Sequence, residues 1–346
     1  MTQDKNKKAL WAVLSVLIAA ATLWTVTSQN RCFSFSAFWS YLQGTAKGWL
    51  LTAVACSCGF IFFEAAALRS ACRPFGHSKT LGKGITYSAA DIYFSAITPS
   101  ATGGQPVCAY FMIKDGIPGT LAAAVLLANL TMYTLAILVV GILVFFFYGN
   151  VFLSFGMVAK ILILVGYLVQ LALVGFFLLL LKNERTLHSI CSAALRFLCR
   201  IRLLRREEEK QKKLDKLMKE YGESVGILKG RKKMLVKIFF LNLLQRISII
   251  SVTVFVFLSA GGNVSQAARL WAIQSYVVIG SNSTPIPGAM GVSDYLMLKG
   301  FEMIMSPEHA ANLQMLSRSL SFYFCIIFCG IWILGSYLIR KGREKL

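Results

Sequence analysis

Apolar residues in this chain gather into runs rather than alternating with polar ones. Ala9–Thr27, Leu50–Leu68, Leu121–Tyr148, Phe155–Leu181, Leu235–Ala260 and Ser319–Ile339 each approach or exceed the roughly 20 residues a helix needs to cross a bilayer. Six transmembrane helices are predicted. Two further apolar stretches are interrupted. Ile85–Ile113 is broken by Thr98-Pro-Ser-Ala-Thr-Gly-Gly-Gln-Pro106, and Gln266–Lys299 by Asn282-Ser-Thr-Pro-Ile-Pro-Gly-Ala-Met-Gly291. Proline removes a backbone donor and glycine weakens a helix. The pieces of the first stretch come to about 13 and 8 residues, roughly 20 and 12 Å, too short to span alone. Irregular backbone at membrane depth survives only where protein or a water-lined cavity satisfies its polar groups. Both stretches therefore read as re-entrant hairpins.

The two breaks resemble one another. Thr98-Pro99 matches Thr284-Pro285, and Gly103 matches Gly288 with one residue removed. Tyr110-x-Met112-Ile113-Lys114 matches Tyr295-x-Met297-Leu298-Lys299. Three spans separate them, so they enter from opposite faces. The chain divides into residues 1–150 and 151–346, each reading span, span, broken hairpin, span, with a basic loop (183–234) inside the second. The expected fold is an all-α polytopic membrane protein built as an inverted repeat. Paired interrupted segments in such repeats point to a transporter's substrate site.

Charge orients the chain. Lys5, Lys7 and Lys8 precede the first span; Arg69, Arg73, Lys79 and Lys83 follow the second; Arg340, Lys341, Arg343 and Lys345 end the chain. The opposite side carries only Arg31, Lys47 and Lys299 in its loops. Basic loops stay cytoplasmic, so both termini are expected there, in a bacterial-type inner membrane. The first span reads as a retained signal anchor.

The formal net charge of +21 invites a nucleic-acid reading, but the basic residues crowd between spans and no nucleic-acid-binding motif accompanies them. Anionic lipid headgroups suit such clusters. Leu187–Arg206 places apolar side chains at helical spacing, with Arg196, Arg200 and Arg206 largely apart, as an interfacial helix does. Glu207–Tyr221 follows with Glu208/Lys212 and Glu209/Lys213 at i,i+4. It carries a narrow stripe of Leu214, Leu217, Met218 and Tyr221, and Gly222 is expected to stop it; a solvated charged hairpin is the alternative.

Nine cysteines and three histidines form no metal-ligand spacing. No phosphate loop and no Ser-His-Asp set is present, so no catalytic residue, metal or cofactor is identified. Charged residues inside apolar segments are functional candidates by default. Glu64 either reaches the interface or carries a proton or cation. Asp91, beside Tyr87 and Tyr93, suits a cationic headgroup or a proton. Arg246, next to Gln245, either holds a lipid phosphate or pairs with Glu64 or Asp91. Arg269 snorkels outward. Asp294 and Arg318 suit an ion pair fixing the second hairpin. Helices stopping at Gly103-Gly104, restarting near Gln105, and breaking again at Gly288 would offer amide groups to a phosphate. Thr98, Thr102, Ser283 and Thr284 would add hydroxyls.

Thr284-Pro-Ile-Pro-Gly-Ala-Met-Gly-Val-Ser-Asp294, with Arg318 beyond it, resembles the proline-glycine-glycine signature of the lysylphosphatidylglycerol synthase transmembrane-region family. Thr98–Pro106 resembles that family's first-half signature. The family includes the flippase-like membrane half of the multiple peptide resistance factor. Two departures stand out: Asp294 replaces the usual glutamate, and Asn129 stands where a Glu-Arg pair is common. Members that make lysylphosphatidylglycerol carry a soluble aminoacyltransferase domain after the membrane region, whereas this sequence ends at Leu346. The resemblance thus implies translocation of a phospholipid, phosphatidylglycerol or lysylphosphatidylglycerol. A lysyltransferase membrane component working with a separate aminoacyltransferase is the alternative, and a small-solute or ion transporter a further one.

Overall fold

A computed structural model describes residues 43–77, 80–98, 101–200, 207–284, 286–289 and 291–343. The predicted first span, Pro99, Ser100, Pro285, Met290, the segment 201–206 and the end of the C-terminal tail lie outside the described residues. Among the described residues the structure is all-helical.

Five helical stretches are long and apolar enough to cross a membrane. They are α1 (Lys47–Cys72), α4 (Gly119–Ser154), α5 (Met157–Lys182), α8 (Lys232–Ser259) and the last one, running from Pro307 to Leu338. Each covers one apolar run of the sequence. The last begins earlier than its run. α11 (Pro307–Arg318) passes through a π-turn at Ser319–Tyr323 into α12 (Phe324–Arg343). The wider turn turns the Leu320 carbonyl toward α1, where Ser57 Oγ donates to it at 3.0 Å, as π-bulges allow.

The interrupted stretches fold as helical hairpins with longer arms than the sequence suggests. The first joins α2 (Leu81–Ile97) to α3 (Gly104–Lys114). The second joins α9 (Val264–Ser281) to α10 (Val292–Phe301). α2 has 17 residues rather than 13, because it begins at Leu81, with Gly84 set against the Ala65 carbonyl of α1. Pro106 does not extend the break, because it sits in the first turn of α3, where its missing N–H costs nothing.

α1 and α8 form the most extensive pair, close enough at Gly59 that a Cβ there would lie 3.1 Å from Ser248 Oγ. Small residues let helix backbones approach where no hydrophobic effect drives association. α2 lies between α1 and α12; α9 lies against α8, α4 and α5. Trp332 Nε1 ties α12 to α2 through Thr86 Oγ1 at 3.2 Å. Gly166 of α5 meets the backbone of α9 at Ile279 and Gly280, leaving no room for a Cβ. The outer face of α5 (Met157, Val158, Leu164, Leu168, Leu171) is exposed, the surface a span presents to acyl chains.

The basic loop is a second helical pair, α6 (Glu184–Arg200) and α7 (Glu207–Gly230). α7 runs straight through Gly222. Tyr221, Val225 and Leu228 pack with Ala124 and Ala128 of α4, and that burial outweighs the cost of about 1 kcal/mol for a helical glycine. The pair is thus docked on the bundle rather than free in solvent. His188 Nε2 to Asp215 Oδ1 at 2.7 Å and Gln211 Nε2 to Ser192 Oγ at 2.8 Å join its two helices. Burial and nearby Cys191 push the Tyr221 phenol up to about 12.

Candidate functional site

The sequence's charged candidates converge on the first hairpin. Glu64 of α1, Asp91 of α2 and Arg246 of α8 are 5%, 8% and 5% exposed. Glu64 Oε2 accepts from Ser88 Oγ and from Gln245 Nε2, each at 3.1 Å. Asp91 Oδ2 accepts from Gln105 Nε2 at 2.7 Å, across the break to α3. The Glu64 and Asp91 carboxyls are close enough to interact with each other. Ser88 and Asp91 are one turn apart on α2, so both face α1.

Arg246 lies over the Tyr133 ring at 4.2 Å and the Phe60 ring at 5.2 Å. It sits within electrostatic reach of Glu64, but its Nε has no hydrogen-bond partner. Such stacking holds a desolvated guanidinium without consuming its donors. Gln245 Oε1 and Asn242 Oδ1 are also buried without partners, and Asn242 Nδ2 donates to Asn129 Oδ1 at 3.0 Å. Tyr133 then links this centre to the second break, donating to Asn282 Oδ1 at 3.0 Å. The turn Pro287–Ala289 of that break contacts α2.

The first break is closed from within. Thr98 Oγ1 donates to the Phe94 carbonyl at 2.6 Å and accepts from Gly103 N at 2.9 Å. A Cβ at Gly104 would strike the Asp91 carboxylate and Ser95 Oγ; only glycine fits there. Thr102 lies exposed in the break. At the base of the hairpin Asp115 receives Tyr87 Oη at 2.6 Å and Lys83 Nζ at 3.1 Å.

The second break is closed by a partner outside it. Arg318 Nε donates to Asp294 Oδ1 at 2.8 Å, and its Nη1 to the Gly288 carbonyl at 3.2 Å. Asp294 Oδ2 accepts from Gly291 N at 3.1 Å. Gly288 has φ +61 and abuts Phe322, so a side chain there meets both strain and a clash. Thr284 N donates to the Ser281 carbonyl at 3.0 Å.

These contacts correct one expectation. Two of the amides at the breaks are taken by the protein itself and not offered to a phosphate: Thr98 takes Gly103 N, and Asp294 takes Gly291 N. Polar groups this deep need partners, and the protein supplies its own. Glu64, Asp91, Gln105, Arg246, Thr98, Gly103 and Gly104 gather in one region, and Thr284, Gly288, Asp294 and Arg318 in the other. Arg269 is exposed, away from both. Sequence reasoning missed Ser88, Asn242, Tyr133 and Phe60. Asn242 was within reach, being one turn before Arg246 on the same face; Tyr133 was not, because its partner lies on a distant helix.

A helical, multi-pass bundle with both signs of charge buried around interrupted hairpins defines a polytopic membrane protein with an internal polar centre. The family model described as "Lysylphosphatidylglycerol synthase TM region" matches residues 12–329. The chain belongs to that family. No curated protein and no solved structure matches it.

Proposed function

We propose that this protein translocates phospholipid headgroups across a bacterial inner membrane, its substrate an anionic phospholipid or an aminoacylated one such as lysylphosphatidylglycerol. The observation that carries this reading is Arg246, a buried guanidinium held by aromatic faces with Nε unspent. It offers a phosphate directional donors in a low-dielectric setting, while the neighbouring Glu64–Asp91 pair supplies the opposite charge for a headgroup hydroxyl or amine.

The pattern of helix packing supports an inverted repeat. α1 pairs with α8, α2 with the last span of the second half, and α9 with the last span of the first half, as an exchange of halves requires. The placement of basic residues supports cytoplasmic termini.

The test is a reconstitution. Vesicles carrying labelled phosphatidylglycerol-type lipid and the purified chain should show leaflet exchange, and Arg246→Ala should reduce it at least about tenfold, the loss of roughly 1.4 kcal/mol of headgroup binding. Exchange no faster than in protein-free vesicles would reject the reading. Product formed by the chain from lysyl-tRNA and phosphatidylglycerol would place it in lipid aminoacylation instead.

A further inference from the structure

The buried centre holds two neighbouring carboxyls and one guanidinium. Glu64 and Asp91 are buried neighbours close enough to influence one another, and two adjacent buried carboxyls do not both ionise readily, so the pair is expected to hold one proton. Glu64 Oε2 and Asp91 Oδ2 accept from neutral donors: Ser88, Gln245 and Gln105. With that proton the centre carries one negative and one positive charge, the balance that burial demands. The other ionisable groups facing it are Arg246 from α8, Tyr133 from α4, and the thiols Cys108 of α3 and Cys329 of α12. None of these supplies a second cation. Gln245 Oε1, 1% exposed and without a partner, adds an unmet demand for a donor at the same place.

A lipid phosphate arriving at Arg246 would bring a further negative charge into this desolvated site. The cheapest compensation is a second proton on the carboxyl pair, because a proton there needs no new space. Binding at two sites that share one charge balance is reciprocal: each ligand raises the affinity for the other. We propose that the Glu64–Asp91 pair is a resident proton-binding site, and that it takes up a further proton as the phosphate docks on Arg246, so that anionic headgroup and proton cross together. This rests on the lipid reading above.

Two measurements test it on the full chain. Infrared spectra of the protein in vesicles at neutral pH should show a carboxylic-acid C=O band that disappears when Glu64→Gln and Asp91→Asn are combined. Absence of that band in the unaltered protein overturns the proton site, whatever the lipid does. Vesicles of phosphatidylglycerol-type lipid, acidified outside, should move labelled lipid inward severalfold faster than without the gradient, with acidification of the lumen that depends on the labelled lipid's movement. Glu64→Gln should lose the response to the gradient. Lipid movement at the same rate with and without the gradient overturns the coupling but leaves the lipid reading standing. No movement under either condition overturns both.

Discussion

The two broken hairpins solve one problem with opposite means. Each must fill the polar gap where a helix stops inside an apolar bundle, and each sets an aspartate at the start of its second arm. In the first, Asp91 comes from the other arm and is bound by neutral Gln105. In the second, Asp294 belongs to the arm itself and is bound by Arg318 from outside the hairpin. The first aspartate has no cation among its own ligands, and Arg246 acts on its neighbour Glu64. The second is cancelled on the spot and is also wetter, its side chain 30% exposed. A latch and a working site differ in this way: one satisfies its charge locally, the other leaves it for something else to satisfy.

The sharpest way to break this contrast is to enlarge Gly104. Gly104→Val would drive methyl groups into Asp91 and Ser95 and force the first hairpin open. A cost of about 3 kcal/mol, the upper end for overpacking, and full loss of lipid exchange are expected. Thermal unfolding in detergent and the vesicle assay check the two parts.

Arg318→Ala should come next. It removes the guanidinium that closes the second break and leaves Asp294 and the Gly288 carbonyl without that donor. Breaking a buried pair costs about 3–5 kcal/mol, and the partial exposure here lowers the expectation to about 2 kcal/mol. The same unfolding measurement applies. A shift within error would mean that the ion pair does not hold the break.

The smallest effect is the most diagnostic. Asp294→Asn should cost about 1 kcal/mol, since a charge-assisted bond becomes a neutral one. Asp91→Asn should change stability by less than about 0.5 kcal/mol, because it removes a surplus carboxyl from a crowded pair, while lipid exchange collapses. Equal stability losses in the two variants would erase the distinction between latch and site.

Much of this architecture was legible in the sequence because the governing signals are local. Runs of apolar residues locate α1, α4, α5 and α8, and Pro-Gly clusters locate both breaks. The arm lengths were not, since Gly84 looks like a loop residue until the close approach of the Ala65 carbonyl of α1 makes a small side chain useful. Gly222 failed as a stop for the same kind of reason: contacts with α4, invisible from α7 alone, hold the helix through it. Among site residues, Glu64, Asp91 and Arg246 were conspicuous as charges in apolar surroundings. The closeness of the two carboxyls, and the aromatic seat under Arg246, depend on which helices become neighbours.

The seam between Gly166 and Gly280 has a mechanical consequence. Where two helices touch main chain to main chain, no layer of side chains remains to act as a bearing. α9 and α5 must then travel as a single piece. The first hairpin meets α12 through side chains, Tyr93 against Gly330 and the polar contacts of Thr86, Ser336 and Trp332, while its Gly84 meets the Ala65 carbonyl of α1. If the two hairpins move, the second carries α5 with it and the first carries α1.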